Sequence, residues 1–503
     1  MTLTSSSVGS TGSPRSMLTF LALLLAMIGW RAIAKSGSAA YSAGTCAYET
    51  ISALSDDLRV ERVIVLHRHG DRSQISPTIG PMYPESDELG AFWATRLPKQ
   101  ESLNKMASSA STTMVLEYMK EEEMVDGTII STREKEYEHL YGGADLYRKP
   151  YAMLTEEGYQ QLVSVGKELK RRYVSSPQNS DALIDIPTNV GRSLKADPHV
   201  SLRSTNMCRT LQSLRALLVG LYDISEEHES VLFGKEEEAF TIRTRPKSQE
   251  TMFQEADGPC TAIALRRSQI FPDSLFVDKF GPSFKTLEAK MEKLFGYGGE
   301  NEESVKWLRI KEVLTCHNSH GRGLYDGVTE EDYDMIGRIA AFIWGTLYRD
   351  DVLNRLAIGR FIHELLADIT VAEQQDQKLL IYSGHDSTLV PILCALNIYD
   401  DTWPPYASFL SIEFVKRVST NEKFVRVAFN DREQKILNLD TTLCPYEVFH
   451  ERLTAMSLSN DEYAEECYSA ETSRGSGVSA IELEKQLRKS AEEVLAATGV
   501  KST

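Results

Sequence analysis

A pattern used twice, and followed in a third, shorter strand, restricts the fold more than any other feature: a short apolar run that breaks directly into glycine, serine or charge. The first run is Val63-Ile64-Val65-Leu66, followed by His67-Arg68-His69-Gly70-Asp71-Arg72-Ser73. The second, Leu379-Leu380-Ile381-Tyr382, is followed by Ser383-Gly384-His385-Asp386-Ser387-Thr388. Consecutive apolar residues bounded by a breaker read as short buried strands. A third segment, His199-Val200-Ser201-Leu202-Arg203-Ser204-Thr205, reads as a strand ending at Arg203. A helix follows it with Leu211, Leu214, Leu218 and Leu221 on one side and Ser204 or Thr205 as its cap. In open α/β sheets ligands bind outside the carboxyl ends of the strands. Arg68, His69, Arg72, Arg203, His385 and Asp386 are therefore expected along one sheet edge.

The residue types at that edge have a chemistry of their own. A histidine between two arginines has a depressed pKa, because each fixed positive charge disfavours another beside it. A neutral imidazole in a cationic pocket is a nucleophile facing an anion, and the planar guanidinium fork suits phosphate oxygens. Asp386 could be no more than a helix cap; beside His385 it could also be a general acid. His67, sharing a strand face with His69, is given no catalytic role. Arg209, one turn into the helix after Arg203, reads as structural.

Arg68-His69-Gly70-Asp71-Arg72-Ser73 resembles the RHGxRxP signature of the histidine acid phosphatases, with Gln74 where that family has proline. His385-Asp386 after an apolar strand resembles the family's second signature. Arg203-Ser204-Thr205 followed by Arg209-Thr210 is similar to the segment that supplies its third phosphate-binding arginine. The helix beginning Leu154-Thr155-Glu156-Glu157-Gly158, with Leu162, Val165 and Leu169 as its stripe, is similar to the helix after the signature loop. With Trp403-Pro404-Pro405 and Leu443-Cys444-Pro445, the order of motifs resembles the lysophosphatidic acid phosphatase branch. The resemblance spans residues 58–468. It implies an α/β fold: a mixed, mostly parallel central sheet flanked by helices, with a smaller, mostly helical cap. It also implies a nucleophile at His69, an acid at Asp386, phosphate ligands at Arg68, Arg72, Arg203 and His385, and no cofactor.

The rest of the chain fits around that domain. A net charge of −17 argues against binding nucleic-acid backbones and makes a local arginine cluster a site rather than a basic surface. Residues 1–45 read as a targeting segment and linker. The apolar run at 17–28, between Arg15 and Arg31, has signal-peptide length, so the secretory route is expected. The rivals are an uncleaved anchor over 17–34, giving membrane association, and a mitochondrial transit peptide. The phosphatase domain is expected over 46–468, with cap insertions at about 80–150, read as irregular, and 225–330. Residues 469–503 read as a linker and a C-terminal helix. Cys316, His317 and His320 lie close together but lack a zinc motif's spacing, so no metal is expected. Cys444 and Cys467 are the disulfide candidate in an oxidising compartment. The expected partner is a small phosphomonoester or a lysophospholipid. The acidic runs Glu121-Glu122-Glu123 and Glu236-Glu237-Glu238 lean against an inositol polyphosphate. The alternatives are a broad-specificity or inositol-phosphate acid phosphatase, and a non-catalytic phosphoester-binding protein.

Overall fold

The first apolar run forms the last part of strand β1 (Leu58–Arg68), which is buried from Arg62 to its end. The computed structural model describes residues 54–123, 129–140, 150–174, 182–184, 197–224, 240–253, 260–272, 274–298 and 304–468. The expected signal segment and C-terminal helix lie outside them, as does the run 236–238. Strand β6 (Leu379–Gly384), from the second run, lies parallel to β1 with Arg68 opposite Gly384. On the far side of β6 lies β4 (Val200–Ser204), also parallel, with Ser204 opposite Ser383. All three strands thus end at one edge of the sheet. The parallel run continues through β5 (Thr241–Thr244) to β2 (Ser111–Glu123).

Antiparallel strands flank this centre. On the β1 side come β7 (Phe409–Arg417), β8 (Lys423–Phe429) and β10 (Leu443–Pro445), with β9 (Arg432–Gln434) also paired to β8. At the other end β3 (Ile129–Leu140) folds back on β2. The sheet counts ten strands among the described residues.

Period-two alternation sends successive side chains to opposite faces. Val63, Val65, Leu202, Leu379 and Ile381 pack against α2 (Gln100–Ala107), α3 (Glu156–Tyr173) and α4 (Cys208–Tyr222). Ile64, Leu66, Leu380 and Tyr382 pack on the opposite face, against α7 (Pro282–Phe295), α8 (Trp307–Ser319), α9 (Glu330–Tyr348), α10 (Asp351–Gln374), α11 (Asp386–Ala395) and α12 (Tyr446–Met456). Near the site edge α1 (Asp87–Ala94) contributes Trp93, and α6 (Leu275–Phe280) stacks Phe276 on Phe284 of α7. Two covered faces explain the unbroken apolar runs of β1 and β6.

Three details differ from the sequence reading. Segment 80–150 holds α1, α2 and the β2–β3 hairpin. Only Ser111 to Met114 of β2 pair with β5, and among the described strands the remainder pairs with β3 alone. The cap of α4 is Met207, because Thr205 still bonds to β6 through its amide and the Ser383 carbonyl. The disulfide joins Cys467, on α13 (Asn460–Tyr468), to Cys260 at the start of α5 (Thr261–Ile270), with their Cα atoms 5.0 Å apart. Cys444 is a buried free thiol on β10. The sequence reading paired Cys467 with Cys444, but α13 packs against α5 and so meets Cys260, 207 residues upstream of Cys467. Replacing Cys260 and Cys467 with alanine is expected to lower unfolding stability by about 2–4 kcal/mol, because the bridge restricts a very long loop in the unfolded chain. Urea melts of the double variant against the parent check this.

Candidate active site

The loop 69–76 at the end of β1 is held from three sides. Helix α3 meets it end-on: Thr155 caps that helix through Gly158 N–H and donates its hydroxyl to Asp71 Oδ1 at 2.6 Å. The approach is close enough that a Cβ on Gly158 would lie 2.7 Å from Leu154 Cδ1 and 2.8 Å from Asp71 N, so only glycine fits. Gly70 N–H donates to Ser213 Oγ of α4 at 3.0 Å. Helix α8 supplies the third side. Glu312 pairs with Arg72 and accepts from Ile75 N–H, His317 meets Gln74 Oε1 at 2.8 Å, and Ser319 and His320 bond to the Asp71 carboxylate. Gln74, standing where the resembled signature has proline, also accepts from Trp93 Nε1 at 3.1 Å, tying the loop to α1. Asp71, Glu157 and His320 each bring a potential ligand atom within 4.8 Å of the others. Asp71 Oδ1 there already takes bonds from Thr155 and His320, so this group braces the loop.

Within that frame the pocket's own residues converge. His69 is buried, and its Nδ1 lies 2.8 Å from the Gly70 carbonyl. A carbonyl only accepts, so Nδ1 carries the proton and Nε2 keeps its lone pair. Burial first, then Arg68, Arg209 and Arg72, hold this imidazole well below its ordinary pKa, and it is neutral. The His385 ring lies 5.6 Å away, with Nε2 3.0 Å from Thr205 Oγ1 and Nδ1 3.4 Å from Arg209 Nη2. Asp386 is the first residue of α11, and His385 is its cap. The Asp386 Oδ2 atom takes Arg68 Nη2 at 2.8 Å and Trp403 Nε1 at 3.0 Å. Burial pushes this carboxyl up, but Arg68, Arg72 and Lys311 outweigh it, and the net displacement is downward. Tyr406 forms one wall, with Arg68 4.4 Å and Arg72 5.9 Å from its ring centre.

Three guanidinium groups therefore surround a neutral histidine and a carboxylate. Arg68, Arg72 and Arg209 each keep a buried Nε–H with no protein acceptor. Buried donors are normally paired, so three orphans in one pocket mark a place for an anion. The match to known proteins agrees: the model of the histidine phosphatase superfamily, branch 2, covers residues 59–430. The chain belongs to that family. It is 27% identical over 324 residues to lysophosphatidic acid phosphatase type 6 of Mus musculus, covering 62% of this chain and 70% of that protein. It is 24% identical over 330 residues to prostatic acid phosphatase of Rattus norvegicus, covering 63% and 80%. Among solved structures, the phytase of Klebsiella sp ASR1 superposes with a TM-score of 0.49 at 13% identity, covering 80% of this chain and 96% of that one. This histidine phosphatase is a phosphoric monoester hydrolase.

Of the residues expected at the edge, Arg68, His69, Arg72, His385 and Asp386 come together and Arg203 does not. Alternation along β4 turns Arg203 to the α10 face, where it pairs with Glu250 Oε1 at 2.8 Å and Glu364 Oε1 at 3.1 Å, 2% exposed. The third pocket arginine of this phosphatase is Arg209, in the first turn of α4, which the sequence reading took as structural. Crowding shows in its charge: burial, then Arg72, push Arg209 down to about 10. His67 stays out of the pocket, its Nδ1 on the Arg68 carbonyl, and burial pushes it down to about 4. Sequence reasoning also missed Lys311, Glu312, Trp403 and Tyr406. The first two share a helix with Cys316 and His317, which His320 caps, and the last two stand in or directly after the Trp-Pro-Pro segment noted only as a branch motif.

Proposed function

We propose that this enzyme hydrolyses lysophosphatidic acid through a phosphohistidine on His69. The observation that carries the mechanism is the trio of arginines with orphaned Nε–H donors whose charges act on the neutral His69. Arg68, Arg72 and Arg209 hold the phosphate oxygens and spread the charge that builds on them, with His385 as a fourth contact. The Nε2 pair attacks phosphorus, the P–O bond to the alcohol breaks, and Asp386 gives its proton to the departing oxygen. A water then loses a proton to Asp386 and attacks phosphorus; the P–N bond breaks and returns its pair to Nε2. The ester's own negative charge offsets the arginine field and lets Asp386 hold its proton in the complex.

The names of the relatives support a lysophospholipid. The aromatic surface of Trp403, Tyr406 and Phe253 beside Asp386 and His385 supports an alcohol with an apolar part. The secretory reading draws support from the Cys260–Cys467 bridge, since disulfides persist in oxidising compartments. No helix among the described residues is long and apolar enough to cross a membrane.

The pH dependence has a definite sign. His69 lies well below its ordinary value and stays a free base into acid, whereas Asp386 must enter the first step protonated and is itself displaced downward. Activity is therefore expected to peak in the acid range and fall as pH rises through the Asp386 ionisation. Asp386→Asn removes that alkaline limb and slows lysophosphatidic acid by about 10²–10³-fold, with less effect on p-nitrophenyl phosphate, whose leaving group needs no proton. Phosphate release from both esters across pH 4 to 8, with chelator present, tests the reading. A preference for the lipid supports the substrate. A preference for the small ester retains the mechanism and removes the lipid assignment. Release that depends on pH in the opposite sense removes Asp386 as the acid.

A further inference from the structure

Lys311 is a half-buried lysine in the pocket that the mechanism above does not use. It lies on α8 next to Glu312, and its Nζ sits 4.0 Å from the centre of the Trp403 ring. The N–H of that same indole donates to Asp386 Oδ2 at 3.0 Å, so the amine flanks the carboxyl that would protonate the leaving oxygen. Among the described residues no carboxylate or carbonyl accepts a hydrogen bond from Nζ. The indole face and the charge of Asp386 favour the ammonium, whereas burial, Arg68 and Arg72 oppose it, and Lys311 is pushed down to about 7. An ammonium carries three donors and no acceptor, and Lys311 Nζ, half-buried and not among the sealed unpartnered atoms, can turn them to a ligand in the pocket. Arg68 and Arg72 are committed to the phosphate side, and Glu312 to Arg72. What remains for Lys311 is the alcohol portion of the ester, which must pass beside Asp386.

We propose that Lys311 is a specificity-determining residue that hydrogen-bonds the leaving group, selecting esters of alcohols that carry an oxygen on the neighbouring carbons over esters of bare alkyl alcohols. Acyl-glycerols and glycerol belong to the favoured class; propanol does not. The inference rests on the phosphohistidine reading with Asp386 as acid.

The test compares kcat/KM for glycerol 3-phosphate and for propyl phosphate in the purified full-length chain. Wild type, Lys311→Met and Lys311→Arg are measured, and the quantity read is the ratio of the two esters. A charge-assisted hydrogen bond confined to one ester makes the ratio fall about tenfold or more in Lys311→Met, and the charge of Lys311→Arg restores part of it. A loss of folding quality alone lowers both rates together and leaves the ratio where it was. A wild type that hydrolyses both esters with a ratio unmoved by Lys311→Met overturns the role of Lys311 while leaving the mechanism standing. A wild type with no His69-dependent turnover of either ester overturns both.

Discussion

His69→Ala is expected to lower kcat by at least ~10⁴-fold, whichever phosphomonoester is used, because the route through the enzyme then has no nucleophile. The structure shows why no neighbour can substitute. His67 points away, bonded to the Arg68 carbonyl. His385 is engaged by Thr205 and Arg209, and burial followed by the Arg209 charge depresses its basicity. Cys316 approaches the pocket, but burial and Glu312 raise its thiol, so it offers no thiolate. The variant keeps Arg68, Arg72 and Arg209, so it should still bind inorganic phosphate. Turnover assays paired with phosphate titration separate the lost step from lost binding. Substantial residual turnover would remove the covalent route.

The second large effect separates two arginines six positions apart. Arg209→Ala is expected to cost about 10²–10³-fold in kcat/KM, the usual consequence of deleting one preorganised donor to a charge that grows in the transition state. Lysine should be a poor replacement there, because its point charge cannot reproduce the fork. Arg203→Ala should act on folding instead. It leaves Glu250 and Glu364 buried with less compensation, and Glu364 is held at about 2 because Arg203 and Arg245 outweigh the upward push of its burial. Removing one partner of such a group costs about 3–5 kcal/mol. Unfolding curves and kinetics on the two variants give opposite patterns. If Arg203→Ala instead lost activity at unchanged stability, the arginine assignment would revert to the sequence reading.

That pair also marks where the sequence stops being informative. The strand ends were legible because a buried parallel strand writes itself as consecutive apolar residues, and its first polar residues must lie at the edge. Arg68, His69, His385 and Asp386 follow from that local rule. The choice between Arg203 and Arg209 depends on which way β4 faces and where α4 begins, and both follow from packing. Thr205 reads as a cap but is used as an extension of the strand, which carries the helix start to Met207 and sets Arg209 in its first turn. The grip of α8 was half visible. Glu312, Cys316 and His320 recur at helical spacing and define one face, but nothing in the sequence names Arg72 and Asp71 as what that face holds. The Cys260–Cys467 bridge was hidden for the same reason, since it records the packing of α5 on α13.

The most direct measurement is to look for the covalent intermediate itself. The full-length enzyme is mixed with p-nitrophenyl phosphate, quenched in alkali within the first turnover to preserve a phosphorus–nitrogen bond, digested, and examined by mass spectrometry. A phosphohistidine route places phosphate on His69, on the Nε2 nitrogen, with a matching burst of p-nitrophenol that His69→Ala abolishes. Steady turnover with no burst, and with phosphate absent from His69 or found on another residue, would contradict it.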